Sequence, residues 1–486
     1  PKGRVKKSPI NVGVKYRLWE HFDVTISYIR GERLAFSAST FYNFGYTKGF
    51  LPKIDDPLPY RAPVNIESLG PFRPEDTLAQ ELLTAYEEQG LKILDIFFTD
   101  HPNCQKSLRI HVLNESFRLE CKLRERLNHL LAYLMPVNIE EVTIVIFSEG
   151  FPIQEYVFRM EFVRRFADQE IGPHELQLLS PMKEVSYPPL SLSTTLFSRP
   201  RNLFNFELAP RIYTFFGSST GKFKYNFGLS ASINGFLPKD IYYNIITGYS
   251  LLETVRSCND FDRLNPSQLI NVRTDIIRYF QTHGLTLDEA YLQKTWTLGK
   301  GWYARLSAGY FEVEYGGAAT ELLYYPIKGC WAIGVEGAIL KKRNYSGLGF
   351  TNRVRKLEGF KPTYHKFLGS QYFLNVYYDW KPAHLDFKIS AGKFLANDWG
   401  VRYEMSRYFP SGLRLTLWYT CTNGRDRVNG ETYFDKGIGF SMPFDIFYTH
   451  SERTSWNYGI SAWLRDVGVQ ASTGLNLYEL IYDQRQ

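Results

Sequence analysis

The chain reads as mainly β: an antiparallel transmembrane β-barrel with a small α/β (α-β-β-α-β-β) domain inserted into it. Three observations predict this. Many segments alternate an apolar residue with a small or charged one, which gives each strand one apolar and one polar face. Aromatics are plentiful, with 34 Tyr and 36 Phe in 486 residues. Phe223, Tyr249, Trp302, Tyr310, Trp380, Trp399 and Trp456 sit at or near the ends of the alternating runs, where membrane barrels carry interfacial girdles. Mean hydropathy is nevertheless only -0.28 and 22% of residues are charged. No apolar run approaches the length of about 18 residues that a membrane-spanning helix needs. A barrel strand needs only about 9–11 residues, half of them apolar.

The elements follow in order. Val12, Val14, Tyr16 and Leu18 alternate with Gly13, Lys15 and Arg17, and Phe22, Val24, Ile26 and Tyr28 with Asp23, Thr25 and Ser27. Residues 1–56 are therefore assigned to the barrel. A Pro-rich passage (Pro57, Pro59, Pro63) then leads to a different pattern over 71–170. Pro74-Glu75-Asp76-Thr77 opens a helix, Leu78, Leu82, Leu83 and Tyr86 follow at helical spacing, and Gly90 stops it. Leu91 to Phe98 and Leu108 to Leu113 read as strands. A second helix carries Leu119, Leu123, Leu127, Leu130, Leu131 and Leu134, ends at Pro136, and is followed by strands Val142 to Phe147 and Ile153 to Met160. The order looks like a duplicated α-β-β element. Such a domain cannot lie in lipid, so it belongs on one side of the membrane, the periplasmic side.

From 185 to 486 the alternation returns. Phe223, Tyr225, Phe227 and Leu229 alternate with Lys224, Asn226 and Gly228; Leu385, Phe387 and Ile389 with Asp386, Lys388 and Ser390; and Trp399, Val401, Tyr403 and Met405 with Gly400, Arg402 and Glu404. Pro238-Lys239, Gly299 to Gly301, Lys381-Pro382, Pro410 to Gly412 and Asn423-Gly424 separate such runs. Up-and-down hairpins are the simplest topology. Alternation alone turns Arg305, Glu312, Lys388, Arg402, Glu404 and Arg414 toward the lumen, an assignment that a register slip of one would invert. Bulky Phe373, Tyr377 and Trp418 on the same face point to a narrow or plugged pore.

Several function classes are disfavoured. The net charge of +7 is scattered rather than gathered in a stripe, which argues against nucleic acid as a partner. There is no phosphate-binding glycine loop, GxSxG or HExxH. The pairs Glu312/Glu314 and Asp398/Glu404 could suggest glycosidase chemistry, but acids facing Arg305, Lys388 and Arg402 read better as an ion-paired lining. His101, Cys104, His111, Cys121 and His129 form the densest set of metal-ligand types, at a spacing that fits no finger or ribbon. No metal, cofactor or catalytic residue is expected, and the chain is read as a non-enzyme. The five cysteines (Cys104, Cys121, Cys258, Cys330, Cys421) show no disulfide framework. Cys104 and Cys121 share the small domain and could pair in an oxidising periplasm; isolated thiols are the simpler reading.

Several stretches resemble the YjbH/GfcD family of outer-membrane proteins, which serve exopolysaccharide and capsule secretion loci. They are Gly309-Tyr-Phe-Glu-Val-Glu-Tyr-Gly316-Gly317 running to Tyr325-Pro326, Gly392-Lys-Phe-Leu-Ala-Asn397-Asp398-Trp-Gly400, Asp435-Lys-Gly-Ile438 before Pro443, and Ser267 to Tyr279. In the small domain Asn114, Phe117-Arg118 and Pro136 match more loosely, with Lys122 and Glu125 where the family carries small residues. The family shows Gly where this chain has Asn397. The motifs lie at turns and strand ends and are structural rather than catalytic. The resemblance implies an outer-membrane location with a periplasmic domain, and a role in export or surface assembly of an exopolysaccharide or capsule. Implied partners are outer-membrane lipid, the polysaccharide, and periplasmic or lipoprotein partners of the secretion locus. Because family members are longer at the N-terminus, upstream barrel strands are expected to be missing. The competing readings are a general diffusion porin, a structural barrel anchoring surface loops, and a soluble β-rich glycan-binding protein.

Overall fold

A computed structural model describes residues 10–18, 22–29, 31, 33–40, 49–61, 75–100, 106–187, 193–215, 223–256, 266–281 and 284–486. Pro63, Pro71, Pro74, His101, Cys104 and Cys258 lie outside them. The chain opens with an antiparallel meander, β1 (Val12–Leu18), β2 (Phe22–Ile29) and β3 (Arg33–Thr40). Among the described residues this is a separate three-stranded sheet with no ladder to the large one. Within the described residues, 1–56 therefore share no strand ladder with the large sheet. After β3 the chain runs instead beside a distant turn, with Phe50 N donating to Ile446 O at 2.8 Å and Asp55 N to Thr449 O at 3.0 Å.

An α/β unit follows. Helix α1 (Glu75–Glu88) precedes β4 (Leu91–Asp100) and β5 (Lys106–Asn114), and α2 (Glu120–Leu134) precedes β6 (Ile139–Ser148) and β7 (Phe151–Arg159). Each strand pair is an antiparallel hairpin, and α2 carries the crossover that makes β5 and β6 parallel. Leu78, Leu82 and Tyr86 of α1 and Leu123, Leu127, Leu130, Leu131 and Leu134 of α2 bury against Ile93, Ile96, Ile110, Val112, Ile144 and Ile146. Each fully buried side chain of this kind contributes about 1.5–3 kcal/mol. Gly90 ends α1 at φ +72, where an added Cβ would lie 2.5 Å from Ser116 Oγ.

The sheet runs on past residue 170. Helices α3 (Met160–Ala167) and α4 (Pro173–Leu179) lead to β8 (Met182–Lys183), which pairs with β7, and to β9 (Ser193–Ser198), which pairs with β4. Six strands in the order β8-β7-β6-β5-β4-β9 result. Residues 193–198 therefore belong to this sheet and not to the barrel. Their pairing covers the free edge of β4, a demand that alternation within 193–198 could not reveal.

The remaining strands form one large antiparallel sheet. They are β10 (Asn205–Phe215), β11 (Lys224–Leu237), β12 (Ile241–Glu253), β13 (Leu285–Gly299), β14 (Trp302–Tyr310), β15 (Tyr315–Tyr324), β16 (Trp331–Arg343) with the short β17 (Phe350–Thr351), and, beyond a separate hairpin of β18 (Arg353–Glu358) and β19 (Lys361–Lys366), β20 (Gly369–Trp380), β21 (Leu385–Lys393), β22 (Trp399–Tyr408) and β23 (Arg414–Thr422). A second small hairpin of β24 (Arg427–Val428) and β25 (Glu431–Thr432) precedes β26 (Lys436–Pro443) and β27 (Ser455–Ser461). Neighbours in this path are neighbours in sequence, which makes an up-and-down meander. The edge strands approach one another where the side chains of Thr214 and Tyr458 bond, so the sheet is a nearly closed barrel.

The wall is apolar outside and polar within. On β20, Tyr372, Leu374 and Trp380 are exposed, while Gln371, Asn375 and Asp379 are buried. On β14, Trp302 and Leu306 are exposed, while Arg305 and Ser307 are buried. Phe373 and Tyr377 are also buried within. Aromatic pairs ring the wall near both ends: Trp302–Tyr324 and Trp331–Tyr378 at one, Tyr310–Phe350 and Tyr372–Trp399 at the other. Glycine allows the ladders to close tightly at Gly317, where a Cβ would fall 2.0 Å from Ile339 O.

The two ends differ. Short turns close β11–β12, β13–β14, β20–β21 and β22–β23 at one end; long excursions after β12, β16 and β23 lie at the other. The α/β unit sits on the short-turn end. Tyr303 Oη donates to Ile153 O at 3.1 Å, Arg201 pairs with Asp240 at 3.2 Å, and Arg118 pairs with Asp445 at 2.8 Å.

Candidate functional site: the threaded lumen

The barrel interior is occupied by the chain's own residues 462–486. Alternation had assigned everything from 185 to 486 to barrel strands, and this segment, like 193–198, departs from that assignment. It runs as irregular chain to Asn476 and then as helix α5 (Leu477–Arg485). Its sequence keeps no period of two, and apart from Ala462 N on Lys436 O and Val469 O accepting from Leu395 N, its backbone bonds between 462 and 475 go to side chains of the wall and loops.

The contacts descend through the lumen in order. At the long-loop end, Asp466 accepts from Arg273 N at 2.8 Å and from Asn271 Nδ2 at 3.1 Å, and Arg465 pairs with Asp426. Gly468 N donates to Asp398 Oδ2 at 2.8 Å. Ala471 exchanges two bonds of 2.9 Å with the Gln371 side chain. Thr473 O accepts from Arg305 at 2.7 Å and from Ser307 at 2.6 Å. Leu475 N reaches Gln293 at 2.9 Å and Leu477 N reaches Glu321 at 3.2 Å. In α5, Tyr478 donates to Asp386 at 2.8 Å and stacks on Tyr377 at 3.9 Å between ring centroids. At the short-turn end Arg485 donates to Tyr303 Oη at 2.8 Å, and Gln486 O accepts from Glu120 N of α2. One segment thus links the long loops, the wall and the α/β unit.

Five of the six residues chosen by alternation lie on strands with side chains in this interior. Arg305 pairs with Glu321 at 2.9 Å and lies 3.8 Å from Glu336. Arg402, Glu404 and Lys388 come together: Arg402–Glu404 at 2.7 Å and Lys388–Glu404 at 4.0 Å. Arg402 also lies 3.6 Å from Asp435 and 5.0 Å from the Trp418 ring centroid. Arg414 pairs with Asp386 at 3.3 Å. Glu312 stands apart from the strands, in the β14–β15 turn, where it pairs with Arg273 at 2.8 Å. Glu314 pairs with the same Arg273 at 2.7 Å. The acids considered for catalysis are therefore held by arginines or, for Asp398, by a backbone amide.

Other interior pairs escaped the sequence reading. Arg211 grips Asp288 with two bonds of 2.8 Å, and Lys342 contacts Asp275 at 2.5 Å and Glu314 at 3.6 Å. Helix α5 did leave a signal: Asn476 followed by Glu479 is a helix opening, and the Asn476 side chain accepts from Glu479 N.

The family-like motifs acquire a role here. Arg273, Asp398 and Asp435, read as parts of turns, contact the threaded segment or the Arg402 cluster. Asn397 adopts φ 66, a conformation open to Gly and tolerated by Asn, so the turn survives without glycine.

Of the metal-ligand types named in the α/β unit, His111, Cys121 and His129 lie within the described residues. His111 bonds Asp95 at 3.0 Å between the rings of Phe97 and Phe147. Burial pushes its pKa below the ordinary value, against the opposing pull of Asp95. Burial would raise the Asp95 carboxyl, but bonds from His111 and Ser198 and the charge of Arg201 outweigh it and hold the group low. His129 stacks on Tyr133, and Cys121 is an exposed free thiol. Among the described residues no group of three or more His, Cys, Asp or Glu is placed to hold a metal ion.

Comparison with known proteins gives the family. The YjbH family model, described as "Exopolysaccharide biosynthesis protein YbjH", matches residues 2–483. An "Uncharacterized lipoprotein YjbH" of Escherichia coli (strain K12) is 26% identical over 495 residues. That match covers 99% of this chain and 66% of the relative, so the chain spans just under two-thirds of that protein's length. With nearly every residue inside the family match, the chain belongs to the YjbH family of exopolysaccharide proteins.

Proposed function

We propose that this protein is an outer-membrane β-barrel that assists export or surface assembly of an exopolysaccharide, and that it does so without catalysing a reaction. The observation that carries the reading is the inside-out wall. Leu374, Ile389, Tyr403 and Leu417 face outward and exposed, while Asn375, Ser390 and Asp386 are buried within. In water, an apolar band of this extent would be an aggregation hazard; in lipid it is what a spanning wall requires. Strands of 9 to 12 residues such as β14, β20 and β22 match the length a tilted spanning strand needs.

Short turns in such barrels face the periplasm and long loops the exterior. By that rule the α/β unit is periplasmic, where its exposed helices would meet partners of the secretion machinery. The threaded lumen speaks against a general diffusion porin, whose pore is held open by its wall. Family membership supports exopolysaccharide as the cargo. The test is to follow polysaccharide in surface, medium and periplasm of a strain lacking the protein. Loss from the surface with periplasmic accumulation is expected; unchanged amounts in every fraction would refute the export role.

A further inference from the structure

Helix α5 divides the lumen unequally. Leu477, Tyr478 and Ile481 pack on the wall beside Tyr303, Leu323 and Tyr377. Glu479, Asp483 and Gln486, spaced i, i+4 and i+7, share the opposite face. They border a cavity of about 470 Å³, within the roughly 300–1,000 Å³ of sites that hold small ligands. Across it stand Arg402, Tyr408 and Arg414 of β22 and β23 and Asn457 of β27. Gly439 and Gly459 supply a side-chain-free stretch of wall beside Trp418, as glycines do where a ligand or backbone comes close. A second cavity of about 400 Å³ adjoins toward the long loops, and Arg402 and Gly459 border both.

The polar groups here are unevenly satisfied. Arg402 is paired with Glu404, Arg414 with Asp386, and Arg118 at the cavity mouth with Asp445. Among the described residues neither Glu479 nor Asp483 is held in a close side-chain ion pair. Tyr408 Oη, Arg414 Nε and Gln486 Nε2 are buried with no hydrogen-bond partner among the described residues. Buried polar atoms in native proteins are satisfied by protein, water or ligand. The cavity thus offers acceptors on α5 and donors around it, while three of the four arginines that line it are already paired with carboxylates.

We propose that this cavity is a binding subsite for a neutral, hydroxyl-rich sugar segment. Sugar hydroxyls donate to Glu479 and Asp483 and accept from Arg414 Nε, Tyr408 Oη and Gln486 Nε2. An anionic glycan would meet two carboxylates against a single guanidinium outside any carboxylate pair, that of Arg453, which donates to the backbone carbonyls of Phe117 and Asp483 at 2.8 Å. The inference rests on the export reading, because it names the part of the lumen that handles the polymer.

The test is calorimetric titration of the detergent-solubilised full chain. The probes are oligosaccharides from partial hydrolysis of the producing strain's exopolysaccharide, with oligogalacturonate as the anionic comparator. Saturable binding of the first and none of the second is expected. The double variant Glu479→Gln/Asp483→Asn should bind about tenfold more weakly or worse, as loss of hydrogen bonds to charged groups costs. The near-isosteric Tyr408→Phe should bind several-fold more weakly, with heat-modifiable gel mobility retained as the sign of folding. No binding by the native chain, a preference for oligogalacturonate, or unchanged affinity in the folded variants would each overturn the subsite. Lost binding alongside a surviving export defect in the deletion strain removes the subsite alone. Unchanged export in that strain removes the export reading whatever the titration shows.

Discussion

Arg305, on strand β14, donates through Nη1 to the backbone carbonyl of Thr473 at 2.7 Å. A wall guanidinium is thereby bonded to a segment that crosses the lumen, and the same side chain pairs with Glu321 at 2.9 Å. Replacing it with Leu would strand Glu321 as a buried, uncompensated charge. Removing one partner of such a pair costs about 3–5 kcal/mol. Arg305→Leu should therefore lower the temperature at which the barrel loses its compact gel mobility in detergent; an unchanged transition would show the pair to be dispensable.

The segment 462–486 fills the interior by many modest bonds to side chains. Its removal should leave a conducting barrel. In planar bilayers the full chain is expected to hold a closed baseline, and a chain lacking 462–486 to show discrete open steps. Identical traces from two samples that both keep heat-modifiable mobility would contradict the plug.

Arg118 of the α/β unit and Asp445 of the β26–β27 turn form a bidentate pair, with bonds of 3.0 and 2.8 Å to the two carboxylate oxygens. Hydrogen bonds to charged groups contribute about 1.5–3 kcal/mol. Arg118→Ala and Asp445→Ala should each raise amide exchange in the β26–β27 turn, and the double variant should add little to either. Additive effects would mean the two residues act apart.

Asn397 sits at φ 66. Asn397→Gly should be neutral within about 0.5 kcal/mol. Asn397→Val should cost about 1–2 kcal/mol, because a branched side chain resists the left-handed region. Thermal transitions of the two variants in detergent check this, and equal transitions would refute the strain argument.

The α/β unit should weaken in mild acid. Burial depresses the His111 pKa below its ordinary 6.5, and His129 shifts in the same direction. The folded state prefers the neutral rings, so their contribution is intact above pH 6.5. It is lost as pH falls below that value and the unfolded chain takes up protons first. Asp95, held low, gives way only below the ordinary carboxylate range. Thermal melts between pH 7.5 and about 5 should show a decline that His111→Gln reduces; a flat profile would refute it.

Much of this architecture was legible because it rests on period. The strands around Leu385 and Trp399 and the leucine faces of α1 and α2 each announce their structure through spacing that burial enforces. Arg402 and Glu404, two apart on one strand, had to share a face, and their ion pair follows from that. What lacked a period was lost. Residues 462–476 bond to side chains scattered over nine strands and loops, and no local pattern encodes such a path. β9 escaped for the same reason, since its partner β4 lies about a hundred positions away. Glu312 was misplaced on a strand because its neighbours alternate into a turn. Asp398 and Asp435 looked like turn residues, which they are, but their carboxylates also serve the lumen.

Spin-label accessibility along β20 tests the central claim most directly. Nitroxides placed singly at positions 371 to 380 would be probed for collision with dissolved oxygen and with a water-soluble nickel chelate, in lipid vesicles. The account predicts an alternation of two: labels at 372, 374, 376, 378 and 380 collide with oxygen and are shielded from nickel, while those at 371, 373, 375, 377 and 379 are reached poorly by either. Uniform access of nickel to the outward positions would place the apolar wall in water and contradict a membrane-spanning barrel.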